Sequence, residues 1–186
     1  QAGAVPAQDD SDAPQPNDDD ARPVAPIPSV NTDTWTQRVA AGDFSSVVNA
    51  AQSRGIEGVL TQASLVDLIA LADAARYTGN GSLAQQALRA QRTRFGGTSA
   101  ARAAAFLMGR IAEDQQHDGA SALSWYNTYL KEAPQGAFAA EALGRRLVLL
   151  ERTAGAAAAR DSAESYLRRF PDGPYARVAQ QILSAP

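Results

Sequence analysis

The sequence predicts an all-α fold over residues 33–186, preceded by a disordered linker over residues 1–32. Alanine dominates an apolar content of 45%, whereas aromatic residues make up only 6%; alanine is the strongest helix former and a poor strand former. From Trp35 onward, apolar residues recur at three- and four-residue spacing, as they do on one face of a helix. Short breaks rich in Gly, Asn, Asp and Pro interrupt this pattern repeatedly.

The first 32 residues differ in composition from the rest of the chain. They contain six Pro, six Asp, one Arg and no aromatic residue. Such a segment cannot bury enough apolar surface to offset the entropy lost on ordering it. We therefore predict a flexible, partly polyproline-extended linker. The alternative is an acidic recognition tail.

Charge and composition exclude several classes of function. The formal net charge of −3 divides into −5 over residues 1–32 and +2 over residues 33–186, and a nearly neutral body argues against nucleic-acid or membrane-surface binding. The absence of Cys excludes disulfides, thiolate metal sites and a Cys nucleophile. No apolar run approaches the roughly 20 residues needed to span a bilayer, so we expect no direct membrane insertion by this chain. It would be a cytosolic protein, a processed form, or a fragment of a membrane-anchored parent.

The breaks divide residues 33–186 into nine predicted helices. Gly-, Pro- and Asp-containing turns supply the stop signals between them. The stretch from Gly55 to Gly58 is interpreted as one of these breaks. The predicted helices are 33–41, 44–53, 63–77, 82–94, 99–115, 119–132, 137–152, 155–169 and 174–184.

The breaks form a repeat. Segments that begin at Phe95, Ala133 and Phe170 superimpose with spacings of 38 and 37 residues, so the repeating unit is a helix pair. In the last two copies the second helix and the turn after it correspond at offsets of 37 residues, with Ala122, Tyr126, Tyr129 and Pro134 in one and Ala159, Ala163, Tyr166 and Pro171 in the next. A small residue early in this helix admits a neighbouring helix, and Pro with Gly ends the unit.

In these features the chain resembles the tetratricopeptide-repeat family over residues of about 60–184. Its period is longer than the usual one, and it lacks the early Trp and the Gly-Tyr signature of the first helix. Its Pro-Asp-Gly and Pro-Gln-Gly turns are most similar to the bacterial envelope members: outer-membrane assembly lipoproteins, Tol-Pal coordinators, and repeat domains of FecR-like or anti-sigma regulators. The resemblance implies a right-handed α–α superhelix of stacked helix hairpins.

The resemblance further implies a non-catalytic scaffold in the periplasm or cell envelope that binds a protein or peptide partner on its concave face. The alternative is a sensory or regulatory periplasmic domain of a membrane-anchored regulator. First helices line such a face, and exposed aromatic residues of a second helix are typical anchors. We therefore expect partner contacts from Arg102, Phe106, Arg110, Glu141, Arg145 and Leu149, and from Trp125 and Tyr129.

Residues with catalytic or metal-binding chemistry are sparse, so we predict no enzyme activity and no cofactor. His117 is the only histidine, and a transition-metal site or general base needs partners that the sequence does not supply. Glu113 and Asp114 form a carboxylate pair near the same turn, and solubilising charge is their simpler role. The loop before Ser82 lacks the Lys of a phosphate-binding loop, so Ser82 is interpreted as a helix N-cap.

Overall fold

The computed structural model describes residues 34–185, and in that part of the chain it consists of ten α-helices with no strand. The predicted linker over residues 1–32, and the domain boundary that follows it, lie outside the described residues. The helices are α1 (Trp35–Ala40), α2 (Phe44–Arg54), α3 (Ile56–Gln62), α4 (Leu65–Tyr77), α5 (Gly81–Arg94), α6 (Ser99–Asp114), α7 (Gly119–Glu132), α8 (Ala139–Ala154), α9 (Ala156–Arg169) and α10 (Ala176–Ser184).

The all-α prediction is confirmed, and the bounds of all nine predicted helices agree with the structure to within two residues. Of the break predicted over 55–58, the part at Gly55 is confirmed, since Gly55 separates α2 from α3, but its extension to Gly58 is wrong because α3 begins at Ile56. Gly58 lies inside α3, where an added Cβ would meet no atom within 4 Å. A helix-interior glycine costs about 1 kcal/mol relative to alanine, which is why its presence favoured a break.

Polar side chains cap six of the helices at their N-termini. Each accepts a hydrogen bond from a backbone N–H of the first turn, which would otherwise have no partner. For α5 this cap is Asn80, whose side chain accepts from Leu83 N at 3.1 Å, so the prediction that Ser82 is the cap is wrong. The capping residues are Thr34, Asp43, Ser64, Asn80, Thr98 and Asp118.

The helices pack as consecutive pairs. α4 packs on α5, α6 on α7 and α8 on α9, and each pair contacts the next through α5 with α6 and α7 with α8. α1 and α2 cover α4 at one end of the series, and α10 covers α9 at the other. Three apolar clusters follow this order along the chain, with Leu71 buried in the first, Phe106 in the second and Leu147 in the third. None of the described helices is long and apolar enough to cross a membrane.

A tyrosine hydroxyl ties the end of α7 to the start of α8. Tyr129 is buried, and its hydroxyl accepts a hydrogen bond from the backbone N–H of Phe138 at 2.9 Å. Gly136 passes so close to this hydroxyl that a Cβ there would collide with it. The next copy of the unit repeats the arrangement, with a hydrogen bond of 3.2 Å, through Tyr166, Gly173 and Tyr175.

Two glycines on first helices admit tyrosine rings. A Cβ on Gly109 of α6 would collide with the ring of Tyr126, and a Cβ on Gly144 of α8 would collide with the ring of Tyr175. Both glycines are buried. Because Gly109 and Gly144 have no side chain, each aromatic ring can lie directly against the helix backbone.

Arginine side chains join two of the turns to the preceding unit. Arg94, at the end of α5, donates to the carbonyl oxygen of Leu60 at 3.0 Å, and Arg169, at the end of α9, donates to the carbonyl oxygen of Pro134. Each guanidinium also lies over the phenylalanine ring that follows it, at 4.9 and 5.1 Å from the centroid. In the repeat between these two, Glu132 occupies the equivalent position, and its partner is Arg92.

Candidate functional site

An open cavity of about 610 Å³ lies where the α6–α7 pair meets the turn that leads into α8. The start of α6 forms one wall, and the end of α7 with the turn 133–138 forms the other. Small side chains make up much of its lining. The lining includes Ala100, Ala103, Gly136, Ala137 and Phe138, together with the charged Arg102 and Glu132.

A bidentate ion pair stands at one side of this cavity. Arg92 Nη2 lies 2.7 Å from Glu132 Oε1, and Arg92 Nη1 lies 2.9 Å from Glu132 Oε2. Arg92 Nη1 also donates to the carbonyl oxygen of Ala101 at 2.9 Å. The hydrogen bonds from Arg92 lower the pKa of the Glu132 carboxyl. Both carboxylate oxygens of Glu132 are therefore occupied by a cation from α5.

Arg102 and Trp125 are two of the residues predicted to contact a partner. Arg102 is half-buried in the cavity lining and donates to the carbonyl oxygen of Gly97 at 2.8 Å. Trp125 is half-buried between the first and second apolar clusters, with the guanidinium of Arg92 at 5.6 Å from its ring centroid. The structure thus places Arg102 on the cavity, whereas Trp125 packs beneath Arg92.

Three other predicted contact residues are core residues. The exposed fraction is 1% for Phe106, 2% for Tyr129 and 0% for Leu149, so a partner could not touch their side chains without unpacking the second cluster. Phe106 stacks on Phe138 at 4.5 Å between ring centroids and tilts against Tyr129 at 5.7 Å. The structure therefore places these three side chains in the core, where their burial stabilises the unit itself, and nothing in it tests their contact with a partner.

The remaining predicted residues, Arg110, Glu141 and Arg145, meet in one ion network between α6 and α8. Arg145 Nη1 lies 3.0 Å from Glu113 and 3.1 Å from Asp114, and its Nε lies 3.0 Å from Glu141. Arg110 pairs with Asp114 at 3.1 Å. The carboxylates of Glu113 and Asp114 therefore form ion pairs with Arg145 and are not merely solubilising charges.

A buried tyrosine extends this network into the core. The Tyr126 hydroxyl donates to Glu113 Oε2 at 2.7 Å. Burial raises the pKa of Tyr126, and the hydrogen bond to the Glu113 carboxylate raises it further. Burial opposes the charge of Arg145, yet its hydrogen bonds to Glu113 and Glu141 outweigh this and raise its pKa. The network holds Tyr126 as a proton donor and Arg145 as a cation.

The residues considered for chemistry lie apart from the cavity. His117 is exposed in the turn after α6, in a left-handed conformation with φ of 54°. In the part of the chain that the structure describes, no three His, Asp or Glu side chains are grouped so as to hold a metal ion. Glu113 and Asp114 are held by Arg145, as described above.

The fold and the cavity define an all-α protein built from consecutive helix pairs, with an open cavity where one pair meets the next. A scan against protein-family models and a search of curated proteins found no match to this chain. The resemblance to tetratricopeptide repeats therefore stays a prediction based on the spacing and composition of the turns.

Proposed function

We propose that this chain is a non-catalytic interaction module that binds a peptide or protein partner in the open cavity between α6, α7 and the turn before α8. The observation that supports the proposal is the cavity itself. Its volume of about 610 Å³ is lined by alanines and glycine, with Phe138 as an apolar surface and Arg102 as a cation. A segment of a partner can approach closely over such small side chains and be oriented by a few polar groups.

The cavity walls are held in place before any partner arrives. The Tyr129 hydroxyl fixes the turn at Phe138, and the Arg92–Glu132 pair fixes the end of α7 against α5 and α6. A pre-organised site loses less conformational entropy on binding than a mobile one. Recognition at this position therefore needs no rearrangement of the helices.

The ion network around Arg145 has a supporting role in this proposal. Its charges satisfy one another, so they offer a partner less than the arginine on the cavity does. By holding α6 against α8, the network fixes the face that the first helices present. The right-handed superhelix and the envelope location both rest on the resemblance, and they belong to the proposal on that basis.

The open form of the cavity bears on the alternative of a sensory domain. A sensor of small molecules needs an enclosed apolar cavity that shields its ligand from water. This cavity is open to solvent and carries charge, which suits a segment of a larger partner. The scaffold is therefore the function that the geometry supports best.

Site-specific photo-crosslinking in cells tests the proposal. A photoreactive amino acid replaces Ala137, which is exposed and lines the cavity, and in a control it replaces Ala157, which is exposed on α9 outside the lining. We expect a discrete protein adduct at position 137 and none at 157, and Ala100→Trp should abolish the adduct by filling the cavity. Adducts of equal yield at both positions, or adducts that survive Ala100→Trp, would show that the cavity does not bind a partner.

A further inference from the structure

Two smaller cavities adjoin the one described above. A cavity of about 310 Å³ shares Arg102 and Glu132 with it and extends past Gly97 to Arg92. On the other side, a cavity of about 320 Å³ shares its turn residues and extends across the next unit to Arg169 and Phe170. We call the three cavities together the junction furrow, because each neighbouring pair shares lining residues and the series runs from Gly96 to Phe170.

The last cavity repeats the one at Gly97 with the period of the chain. Gln135 and Ala139 stand 38 positions after Gly97 and Ala101, and Arg169 stands 37 positions after Glu132. The same local packing of helix end against turn thus creates a cavity at each junction. A partner that follows this edge of the molecule meets similar surroundings at regular intervals.

The charge of the junction furrow is positive. Its charged lining residues are Arg92, Arg102, Arg169 and Glu132, which gives a net charge of +2. Because Arg92 occupies both oxygens of Glu132, the net charge is carried by the other two arginines, one in the central cavity and one in the last.

These two arginines keep hydrogen-bonding capacity. Among the described residues, Arg102 uses one Nη1 donor for the Gly97 carbonyl and Arg169 uses one Nη2 donor for the Pro134 carbonyl. A guanidinium has five N–H donors in a planar fork that matches a carboxylate. Each arginine can therefore bind a carboxylate while its backbone contact persists.

We propose that the junction furrow binds an extended peptide with acidic side chains, an inference that rests on the proposed function and specifies its partner. Three small cavities in succession suit an extended chain, whose side chains along one face can enter successive cavities. A helix, about 10 Å across, requires one broad groove instead. The small side chains at Ala100, Ala103 and Ala137 let the peptide backbone approach, and Arg102 and Arg169 bind its carboxylates.

The test uses the full chain and three labelled peptides of four tripeptide repeats, Glu-Ala-Pro, Gln-Ala-Pro and Lys-Ala-Pro, whose prolines favour an extended conformation. Fluorescence anisotropy should show saturable binding of the Glu peptide alone, weakened by high salt. Arg102→Glu and Arg169→Glu should each weaken binding at least about tenfold, which corresponds to about 1.4 kcal/mol. Arg89→Glu and Arg177→Glu, at exposed arginines outside the furrow, should change the affinity less than about twofold.

Three outcomes would overturn the inference: absence of saturable binding of the Glu peptide, equal affinity for the Gln peptide, or equal losses in the control variants. Circular dichroism melting of every variant shows whether a loss of binding reflects unfolding, and Arg102→Gln provides a second variant that removes charge without reversing it. If the Glu peptide does not bind but crosslinks still form at position 137, only the inference of an acidic, extended partner is overturned. Failure of both experiments would overturn the proposed function as well.

Discussion

The hydroxyl oxygen of Tyr129 accepts a hydrogen bond from the backbone N–H of Phe138 at 2.9 Å, and this contact positions one wall of the cavity. The N–H belongs to the residue that precedes α8, where it has no carbonyl partner within the helix. A side chain from the end of α7 thus determines where the next helix can begin.

Tyr129→Phe tests this contact. The variant keeps the ring but leaves the N–H of Phe138 without its partner, so we expect a loss of about 1 kcal/mol in the free energy of unfolding. Urea denaturation of both proteins measures it. Tyr77→Phe is the control, because Tyr77 is 66% exposed, and it should leave stability within about 0.3 kcal/mol. Equal effects of the two substitutions would contradict the role of the Tyr129 hydroxyl.

Gly144→Ala tests the close approach of a ring to α8. The new Cβ would collide with the ring of Tyr175, so the substitution should destabilise the fold by about 1–3 kcal/mol despite the higher helix propensity of alanine. Gly58→Ala is the matched control, because nothing lies within 4 Å of the added Cβ. That control should be neutral or stabilising by up to about 1 kcal/mol. Thermal melts that rank the two variants the other way would refute this account.

Arg145→Met tests the ion network. Only 19% of the Arg145 side chain and 14% of the Glu113 side chain are exposed, so removal of the cation leaves a poorly solvated carboxylate and should cost about 2 kcal/mol. The exposed pair of Arg168 with Glu164 is the reference, and Arg168→Met should cost at most about 0.5 kcal/mol. Chemical denaturation compares them; a cost for Arg145→Met no larger than that for Arg168→Met would mean that the network contributes little.

Glu132→Gln tests the pH dependence of the Arg92 pair. The pKa of Glu132 is lowered from its ordinary 4.5, so the pair contributes its full stability above that pH and loses it as the pH falls through the lowered pKa. We expect the variant to be less stable than the parent by at most about 1 kcal/mol near neutral pH, and the difference should shrink in acid. Denaturation series at several pH values, with Glu164→Gln as the exposed control, measure this; a constant difference would contradict it.

Much of the fold was predictable because helix formation here depends on local signals. Apolar periodicity with polar caps or Gly and Pro stops defines most of the helices, and these signals lie within a few residues of one another. Four helices, α1, α4, α8 and α10, begin two residues later than predicted. For α8 and α10 the structure shows a contact at the start of the helix that the sequence does not signal. Phe138 and Tyr175, which precede them, donate their backbone N–H groups to a tyrosine hydroxyl nine residues earlier in the chain, and no local signal reports such a contact.

The candidate site was less predictable than the fold. Periodicity identifies the face of a helix but not how far the next unit covers it, so Phe106 and Leu149 were expected on the surface although they are buried. Tyr129 carried a usable signal, because it stands 37 residues before Tyr166 and each precedes a glycine by seven. The roles of Arg92 and Glu132, which lie 40 residues apart, depend on packing between units, and sequence reasoning missed them.

The tyrosine contact at the start of α8 recurs at the start of α10. The segment between the two turns therefore begins and ends with the same kind of contact. A duplicate of residues 134–170 inserted after Phe170 would present the same hydroxyl, glycine and aromatic residue at both of its ends. Each added unit would reproduce this tyrosine contact at its turn. The number of helix pairs could therefore change by gene duplication with that contact retained at every turn.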